Sequence, residues 1–206
     1  MVERAGWRQY LGSVLPIPSL EYARVKAILD RGLDQQVRCI LEGIPYDSVL
    51  DVGCGTGRWA KIARGRYLGI DPSPFSISRC ERRYGNDPLK QFVQADPVSF
   101  HLPVRYDLAL LIGLFHHLPD AAVRSVLDWV ARSATYIFVS DICPVSWNPV
   151  SHWLYAHDGE HIREPGEQEY LLSSHPALNL VSKGDCYCSN RLYRHALFLY
   201  QTKQLV

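Results

Sequence analysis

Short apolar runs alternate along this chain with longer stretches in which apolar residues recur every three or four positions. The runs are rich in β-branched residues, which is typical of buried strands, whereas the stretches between them have helical spacing. This order predicts an α/β protein with a doubly wound, mostly parallel sheet. The predicted strands lie at 49–52, 67–71, 90–94, 106–112, 135–140, 178–181 and 196–200.

Two regions interrupt the alternation of strands and helices. Residues 1–20 contain prolines and scattered aromatic residues and are predicted to form an irregular arm or lid, and residues 142–170 form a second proline- and aromatic-rich stretch. Loops of that length are usually functional. We therefore expect one domain over 1–206, with an N-terminal arm and helices at 1–45 and a substrate loop or lid at 142–170. The predicted helices lie at 19–41 with a break at Gly32, at 74–84, at 123–130 and at 168–173.

Composition narrows the class of protein. The net charge is +1 and no block of like charges occurs, which argues against a nucleic-acid partner. The six cysteines are scattered, with a single C-x-C pair near the end, so they form neither a zinc pattern nor a disulfide framework, and we predict no metal site. No apolar run is long enough to span a membrane, and we expect a cytoplasmic monomer or homodimer without a membrane partner.

The segment from Ser48 to Ala60 carries the strongest chemical signal. A short strand is followed by the residues Asp51-Val52-Gly53-Cys54-Gly55-Thr56-Gly57 and then by a predicted helix. Glycines let a ligand approach the backbone, and a helix start offers free N–H groups. The spacing is G-x-G-x-G rather than the G-x-G-x-x-G of dinucleotide sites, and the acid before the glycines suits a ligand with a cationic end.

This segment resembles motif I of the class I, Rossmann-like S-adenosylmethionine (SAM)-dependent methyltransferases of the small-molecule type. Two acids at later strand ends fit the same resemblance: Asp71, twenty residues after Asp51, and Asp96. The exit of the fourth strand, Gly113 to Leu118, is similar to the "hHL" turn of that class. The resemblance implies a seven-stranded, mostly parallel sheet with a C-terminal antiparallel hairpin, with SAM as cofactor and S-adenosylhomocysteine (SAH) as product.

The resemblance also implies roles for individual residues. Asp51 would orient the methionine amino group, Asp71 would hold the ribose hydroxyls, and Asp96 would frame the adenine. Cys54 is interpreted as packing beside the ligand rather than as a nucleophile. The cofactor-binding set is Asp51, Gly53, Cys54, Gly55, Thr56, Gly57, Asp71, Pro72, Asp96, Pro97, Ile112 and Gly113.

Two adjacent histidines after the fourth strand are the catalytic candidates. A neutral hydroxyl is a poor nucleophile, and histidine is suited to removing its proton at neutral pH. His116 is the better candidate for that base and His117 for contact with the cofactor pocket; a purely structural role near a helix start is the alternative for both. Substrate-binding candidates are Asp141, His161 and Arg163, with turn capping, a solvated loop and pairing with Asp158 as their respective alternatives.

Two patterns in the last third of the chain bear on the acceptor. Residues 157–163 and 190–195 look like the "DxGxxIR" and "R-x-x-Y-x-H" patterns of bacterial methyltransferases in glycan and natural-product pathways. The prediction is therefore methyl transfer to a small molecule, at a hydroxyl of a bacterial glycan or secondary-metabolite intermediate. Transfer to nitrogen or carbon, and a non-catalytic SAM-binding scaffold, stay open as alternatives. Trp147, Trp153 and Tyr155 form either an aromatic acceptor wall or a packed lid.

Overall fold

The computed structural model describes residue 28 and residues 30–145, 149–188 and 191–203. The predicted arm at 1–20, the first predicted helix up to residue 27, and Trp147 lie outside the described residues. In the described part of the chain, no helix is long and apolar enough to cross a membrane.

Seven strands of the described chain form one sheet in the order β3-β2-β1-β4-β5-β7-β6. The first five strands pair in parallel, and β7 pairs antiparallel with both β5 and β6. This arrangement confirms the predicted mostly parallel sheet with a C-terminal antiparallel hairpin. The strands are β1 (Val49–Val52), β2 (Tyr67–Asp71), β3 (Lys90–Gln94), β4 (Tyr106–Ile112), β5 (Ala134–Cys143), β6 (Leu178–Tyr187) and β7 (Arg194–Thr202).

The α-helices cover both faces of this sheet. Ser73 caps α2 by accepting a hydrogen bond from the Ser76 amide, with Pro74 in the first turn, where its missing N–H is not needed. A capping box formed by Glu164 and Glu167 starts α5. The helices are α1 (Leu33–Leu41), α2 (Pro74–Tyr84), α3 (Asp120–Ser133), α4 (Pro149–Asp158) and α5 (Pro165–Ser173).

Strand β4 shows why the sheet is buried on both faces. Ala109 and Leu111 belong to the apolar core beneath α3 and α5, whereas Leu108 and Leu110 belong to the core beneath α1. Successive side chains of a strand point to opposite faces, so a central parallel strand must be apolar at nearly every position. A third, smaller core lies around Tyr155 and Tyr193, at the base of the region predicted as a lid.

Two predicted elements differ from the structure. The helix expected after the glycine turn is a short 3₁₀ segment, Arg58–Lys61. Only fourteen residues separate Val52 from Tyr67, and the glycine turn occupies five of them, so little chain is left for a helix. The loop predicted at 142–170 contains the end of β5, helix α4 and the start of α5, because Cys143 still pairs with Arg194 of β7.

Candidate active site

The predicted site residues follow strands whose carboxyl ends meet at one edge of the sheet. Asp51 pairs in register with Gly69 of β2, two residues before Asp71, and Ile112 of β4 pairs with Ser140 of β5. Ligand sites of open α/β sheets lie at this edge, where the strand order reverses. The topology therefore brings the candidate cofactor and catalytic residues to one side of the molecule.

The glycine turn packs against α2 at Gly57 and is left uncovered by the described residues at Gly55. Gly57 has φ 75°, and a Cβ there would lie 3.0 Å from Cys80 Sγ and 3.1 Å from Tyr84 Cε2, both in α2. Gly55 has φ 51°, and apart from its chain neighbours no heavy atom of the described residues lies within 4 Å of the place where its Cβ would be. Among the described residues the backbone at Gly55 is thus uncovered, and a bound nucleoside needs such a space.

Asp71 closes this cradle at the end of β2. Its Oδ2 accepts a hydrogen bond from the Gly55 amide at 2.9 Å, and its Oδ1 accepts one from the Ser73 amide at 2.9 Å. Burial raises the pKa of Asp71, and these two hydrogen bonds oppose that shift. Each carboxylate oxygen has a second lone pair, so Asp71 still has the capacity to accept from a ribose diol.

Asp51 is a buried carboxyl that favours a cationic neighbour. Its side chain accepts a hydrogen bond from the Tyr67 hydroxyl, and burial together with the nearby charge of Asp71 raises its pKa to about 7. Two carboxylates close together in a poorly solvated place repel each other, and a positive group between them relieves both costs. The ammonium and sulfonium of SAM fit this requirement.

Most of the remaining members of the predicted cofactor set lie in the glycine turn or just after β2 and β3. Asp96 caps the 3₁₀ turn Pro97–Ser99 by accepting a hydrogen bond from the Val98 amide at 3.1 Å. Pro72 and Pro97 are buried, and Thr56 is half-buried. Cys54 is buried, and its hydrogen bond with Cys80, followed by burial, raises its thiol pKa well above the ordinary value. Such a thiol is a poor nucleophile, which agrees with a packing role.

The second half of the site begins where β4 ends. Gly113 has φ 67° and donates a hydrogen bond to the Ser140 carbonyl at 2.8 Å, which turns the chain back toward β5. The next residues form the 3₁₀ turn Phe115–His117, and it carries both predicted histidines. Their rings lie 4.0 Å apart between centroids; His117 is half-buried, whereas His116 is only 1% exposed.

His116 and Asp141 form a buried pair. The His116 amide donates to Asp141 Oδ2 at 2.9 Å, and Nδ1 of the ring contacts Asp141 Oδ1. Burial alone raises the pKa of Asp141, but the charge of His116 and the hydrogen bonds outweigh it, and the net pKa lies below the usual value. Because Nδ1 contacts the carboxylate, Nε2 is the ring nitrogen that Asp141 does not contact. Among the described residues, Nε2 is buried and has no hydrogen-bond partner.

A strap formed by residues 159–163 covers the histidine turn. Any Cβ on Gly159 would lie 2.5 Å from the His116 carbonyl oxygen and 2.7 Å from its Cδ2, so only glycine fits this approach. The His161 amide donates to the His116 carbonyl at 2.9 Å. The strap therefore packs directly against His116.

Arg163 fixes the end of the strap. Its guanidinium donates to the carbonyls of Phe115 and Leu118 at 2.9 and 2.7 Å, and to Asp120 Oδ1 at 3.0 and 2.7 Å. The side chain is 11% exposed. Arg163 thus binds the protein's own turn, with Asp120 as its carboxylate partner. Asp158, the partner considered from the sequence, instead accepts a hydrogen bond from the Tyr193 hydroxyl at 2.9 Å.

The structure thus divides the predicted residues into two groups. The acids and glycines of the cofactor set lie around the cradle, and His116, His117, His161 and Arg163 lie beside the turn after β4. Asp141 has both carboxylate oxygens engaged by His116, so its contacts are those of a positioning residue. The sequence did not reveal Tyr67 as the partner of Asp51, because Tyr67 belongs to no local motif, and it identified His195 only as the last residue of the pattern at 190–195.

Comparisons with known proteins agree with this geometry. Residues 49–135 match the family model described as a methyltransferase domain. (S)-coclaurine N-methyltransferase of Thalictrum flavum subsp. glaucum is 25% identical over 105 residues, covering 47% of this chain and 29% of that protein. The match therefore spans less than a third of that relative's own length.

Two solved structures have a similar fold over most of this chain. The N-methyltransferase NodS from Bradyrhizobium japonicum WM9, in complex with SAH, has a TM-score of 0.65 at 16% identity, covering 83% of this chain and 85% of its own. Magnesium protoporphyrin IX methyltransferase (ChlM) from Synechocystis PCC 6803, with bound SAM, has a TM-score of 0.64 at 17% identity, covering 96% and 89%. The chain thus shares the fold of these methyltransferases, whose structures hold SAH or SAM. Its match to the methyltransferase-domain family lies within residues 49–135.

Proposed function

We propose that this protein transfers a methyl group from SAM to a hydroxyl of a small-molecule acceptor. The proposal rests mainly on the Nε2 atom of His116, which is buried and has no hydrogen-bond partner among the described residues. Asp141 accepts a hydrogen bond from the backbone amide of His116 and contacts its Nδ1 atom. A buried polar atom without a partner is costly, and such atoms call for an explanation. An acceptor hydroxyl donating to Nε2 would satisfy this atom.

The cradle at β1 and β2 would hold the cofactor. SAM, when bound, supplies an activated methyl group on a sulfonium. Asp51 and Asp71 would counter its positive charge and bind its ribose, and the bare backbone at Gly55 would lie against it. Ile112 is the last residue of β4 and Gly113 follows it, before the histidine turn, so these two residues would form the wall near the sulfonium.

His116 would act as the general base for the acceptor. With the Nδ1 hydrogen donated to Asp141, Nε2 carries a lone pair and can take the hydroxyl proton as the oxygen attacks. The depressed pKa of Asp141 keeps that carboxylate ionised, and its charge stabilises the imidazolium that results. His117, half-buried beside the same ring, would line the adjoining cofactor pocket.

The strap would keep water away from this base. Gly159 approaches the His116 ring too closely for a side chain, and Arg163 holds the strap to the turn by several hydrogen bonds. Excluding water strengthens the electrostatic contacts in a site and orders the reactants. Arg163 would therefore serve the acceptor indirectly, by fixing the strap, while His161 would lie nearer the acceptor.

The acceptor class follows from the two tail patterns. Tyr193 of the second pattern donates a hydrogen bond to Asp158 of the first, which is the last residue of α4, and packs with Tyr155 of the same helix, so the two patterns are in contact. Their likeness to enzymes of bacterial glycan and natural-product pathways supports a polyhydroxyl or secondary-metabolite acceptor.

Transfer to nitrogen is the second candidate. It is favoured by the names of two similar proteins, coclaurine N-methyltransferase and the N-methyltransferase NodS. An amine that is already neutral needs no base to attack, so the two candidates differ in their dependence on His116.

A labelled-methyl assay tests the proposal. The protein is incubated with methyl-deuterated SAM and panels of sugars, nucleotide sugars, phenols and amines, and products are identified by mass spectrometry. We expect labelled methyl ethers and, with His116→Asn, a rate lower by roughly 10² to 10⁴, the usual contribution of a general base. Labelled amines made equally fast by His116→Asn would establish N-transfer instead. No labelled product from a protein that binds SAH would favour the scaffold.

A further inference from the structure

Three buried side chains of different chemistry converge at the same edge of the sheet. Asp30 precedes α1, Cys188 follows β6, and His195 is the second residue of β7. One carboxylate oxygen, the thiol sulfur and one imidazole nitrogen all lie within 4.8 Å of one another. Asp30 is 4% exposed, and Cys188 and His195 are each 1% exposed. The methyltransferase reaction proposed above uses none of them.

The geometry around His195 suits a metal ligand. Its Nε2 lies 3.2 Å from Asp30 Oδ1, and its Nδ1 lies 3.2 Å from Ser140 Oγ. In a tetrahedral zinc site with bonds of about 2.0 Å, nitrogen and oxygen ligands lie about 3.3 Å apart. A hydroxyl oxygen that accepts from Nδ1–H fixes the tautomer in which Nε2 has a free lone pair, which is the usual support of a metal-bound histidine.

The surroundings of Asp30 suit a metal as well. Arg58 donates to Asp30 Oδ2 at 2.8 Å and also contacts Asp34. One carboxylate oxygen is therefore oriented by a cation, and the other oxygen faces His195. A carboxylate and a thiolate together carry two negative charges, which a divalent ion neutralises.

The set of donor atoms selects the metal. Magnesium and calcium favour oxygen ligands, whereas a thiolate with an imidazole and one carboxylate is typical of zinc. Three protein ligands leave a fourth position of the tetrahedron for water. Without a metal, the same groups would make an ordinary Asp–His ion pair beside a thiol.

We propose that Asp30, Cys188 and His195 bind one zinc ion. Cys188 and His195 lie 158 and 165 residues after Asp30 in the sequence, so the ion joins the segment before α1 to the β6–β7 hairpin. Ser140, which supports His195, is adjacent to Asp141, which supports His116. The side chains of Ser140 and Asp141 lie on opposite faces of β5. The metal therefore stabilises the edge of the sheet that carries the pair of His116 and Asp141.

Metal titration tests this site on the full chain. The exposed thiol of Cys39 is first removed by Cys39→Ser, because it could bind metal adventitiously. Chelator-treated, reduced protein is then titrated with Zn²⁺ against a chromogenic chelator. We expect one equivalent of tight binding, and an affinity lower by about 100-fold or more in Cys188→Ser and in His195→Gln.

Two controls separate the site from general thiol binding. Cys143→Ser removes a buried thiol that packs in the core on the other face of the sheet, and its zinc affinity should equal that of the parent. Co²⁺ added to the parent should give the thiolate charge-transfer band and the intense visible bands of a tetrahedral site. This spectrum needs no site variant, so it decides the question even if His195→Gln does not fold. Absence of the charge-transfer band, or equal zinc affinity in parent, Cys188→Ser and His195→Gln, would overturn the proposal.

Discussion

Two buried carboxyl groups at the carboxyl edge of this sheet have opposite electrostatic environments. Asp51, in β1, has a pKa raised to about 7 by burial and by the charge of Asp71. Asp141, in β5, is equally buried, yet its pKa is lowered, because the charge of His116 and several hydrogen bonds outweigh its burial. The described contacts of Asp51, in the proposed cofactor half of the site, thus include no positive group, whereas those of Asp141, in the proposed acceptor half, include a histidine.

The same contrast appears in how the two halves are assembled. The cradle uses residues from 51 to 97, a continuous segment of strand, turn, strand and strand end. The histidine turn depends on a partner 25 residues later in β5 and on the strap, whose Arg163 is 48 residues from the Phe115 carbonyl that it binds. The cradle is therefore built from residues close together in the sequence, whereas the surroundings of His116 depend on contacts that only the tertiary fold creates.

Asp71→Ala should produce the largest effect on the cofactor half. The ribose diol loses its charged acceptor and the Gly55 amide loses its bond, so SAM affinity should fall by at least about 100-fold. Equilibrium dialysis with labelled SAM measures this change. Asp87→Ala, which changes a partly exposed acid between α2 and β3, is the control and should bind normally. Unchanged affinity in Asp71→Ala would contradict the position assigned to the ribose.

Asp51→Asn should separate stability from binding. Between about pH 4 and pH 7, Asp51 is protonated in the folded protein and ionised in the unfolded chain. The protonated group therefore contributes to the free energy of unfolding; this contribution is complete at low pH and is lost as the pH rises through about 7. Asparagine carries no charge, so at pH 8 the variant should be more stable than the wild type by about 4 kcal/mol, with little difference at pH 4.

Denaturant unfolding at the two pH values measures this stability difference, and the same variant should bind SAM more weakly. Asp71 is the carboxyl group with which Asp51 is compared, because two backbone amides donate hydrogen bonds to the carboxylate of Asp71. A variant that is destabilised more at pH 8 than at pH 4 would show that the free protein favours the ionised form of Asp51, and burial would then not dominate its pKa.

Arg163→Gln should have the smallest effect and should act on the acceptor half alone. Losing the guanidinium leaves the Phe115 and Leu118 carbonyls without their donor, which costs about 1 kcal/mol of stability. The methyl-transfer rate should fall while SAH affinity is unchanged. Arg163→Lys, which keeps the charge but not the planar fork, should restore little of the rate. Rescue by Lys would mean that charge, rather than the hydrogen-bonded strap, is what the site uses.

Much of the fold was predictable because its signals are local. The strand runs, the glycine turn and the acids at strand ends all follow from spacing along the chain, and the antiparallel hairpin followed from the resemblance to a family. The 3₁₀ segment after the turn was missed because helical spacing at Trp59 and Ile62 says nothing about how soon β2 must begin.

The site was predictable only in part. His116 stood out by its position after β4, but its pairing with Asp141 depends on the register of β4 and β5, and Asp141 was assigned to the substrate instead. Arg163 was expected to meet the acceptor, whereas its donors reach carbonyls that no sequence pattern reveals. The cluster of Asp30, Cys188 and His195 joins segments that only the folded chain brings together, so counting cysteines could not find it.

The division of the site into a cofactor half and an acceptor half has one direct test, the calorimetric titration of SAH into the wild type and into His116→Asn under identical conditions. The structure predicts micromolar binding with the same affinity in both proteins, because His116 serves the acceptor and the cradle serves the cofactor. No binding by the wild type would contradict the methyltransferase proposal itself. Binding that is lost in His116→Asn would place His116 in the cofactor site and remove the base from the mechanism.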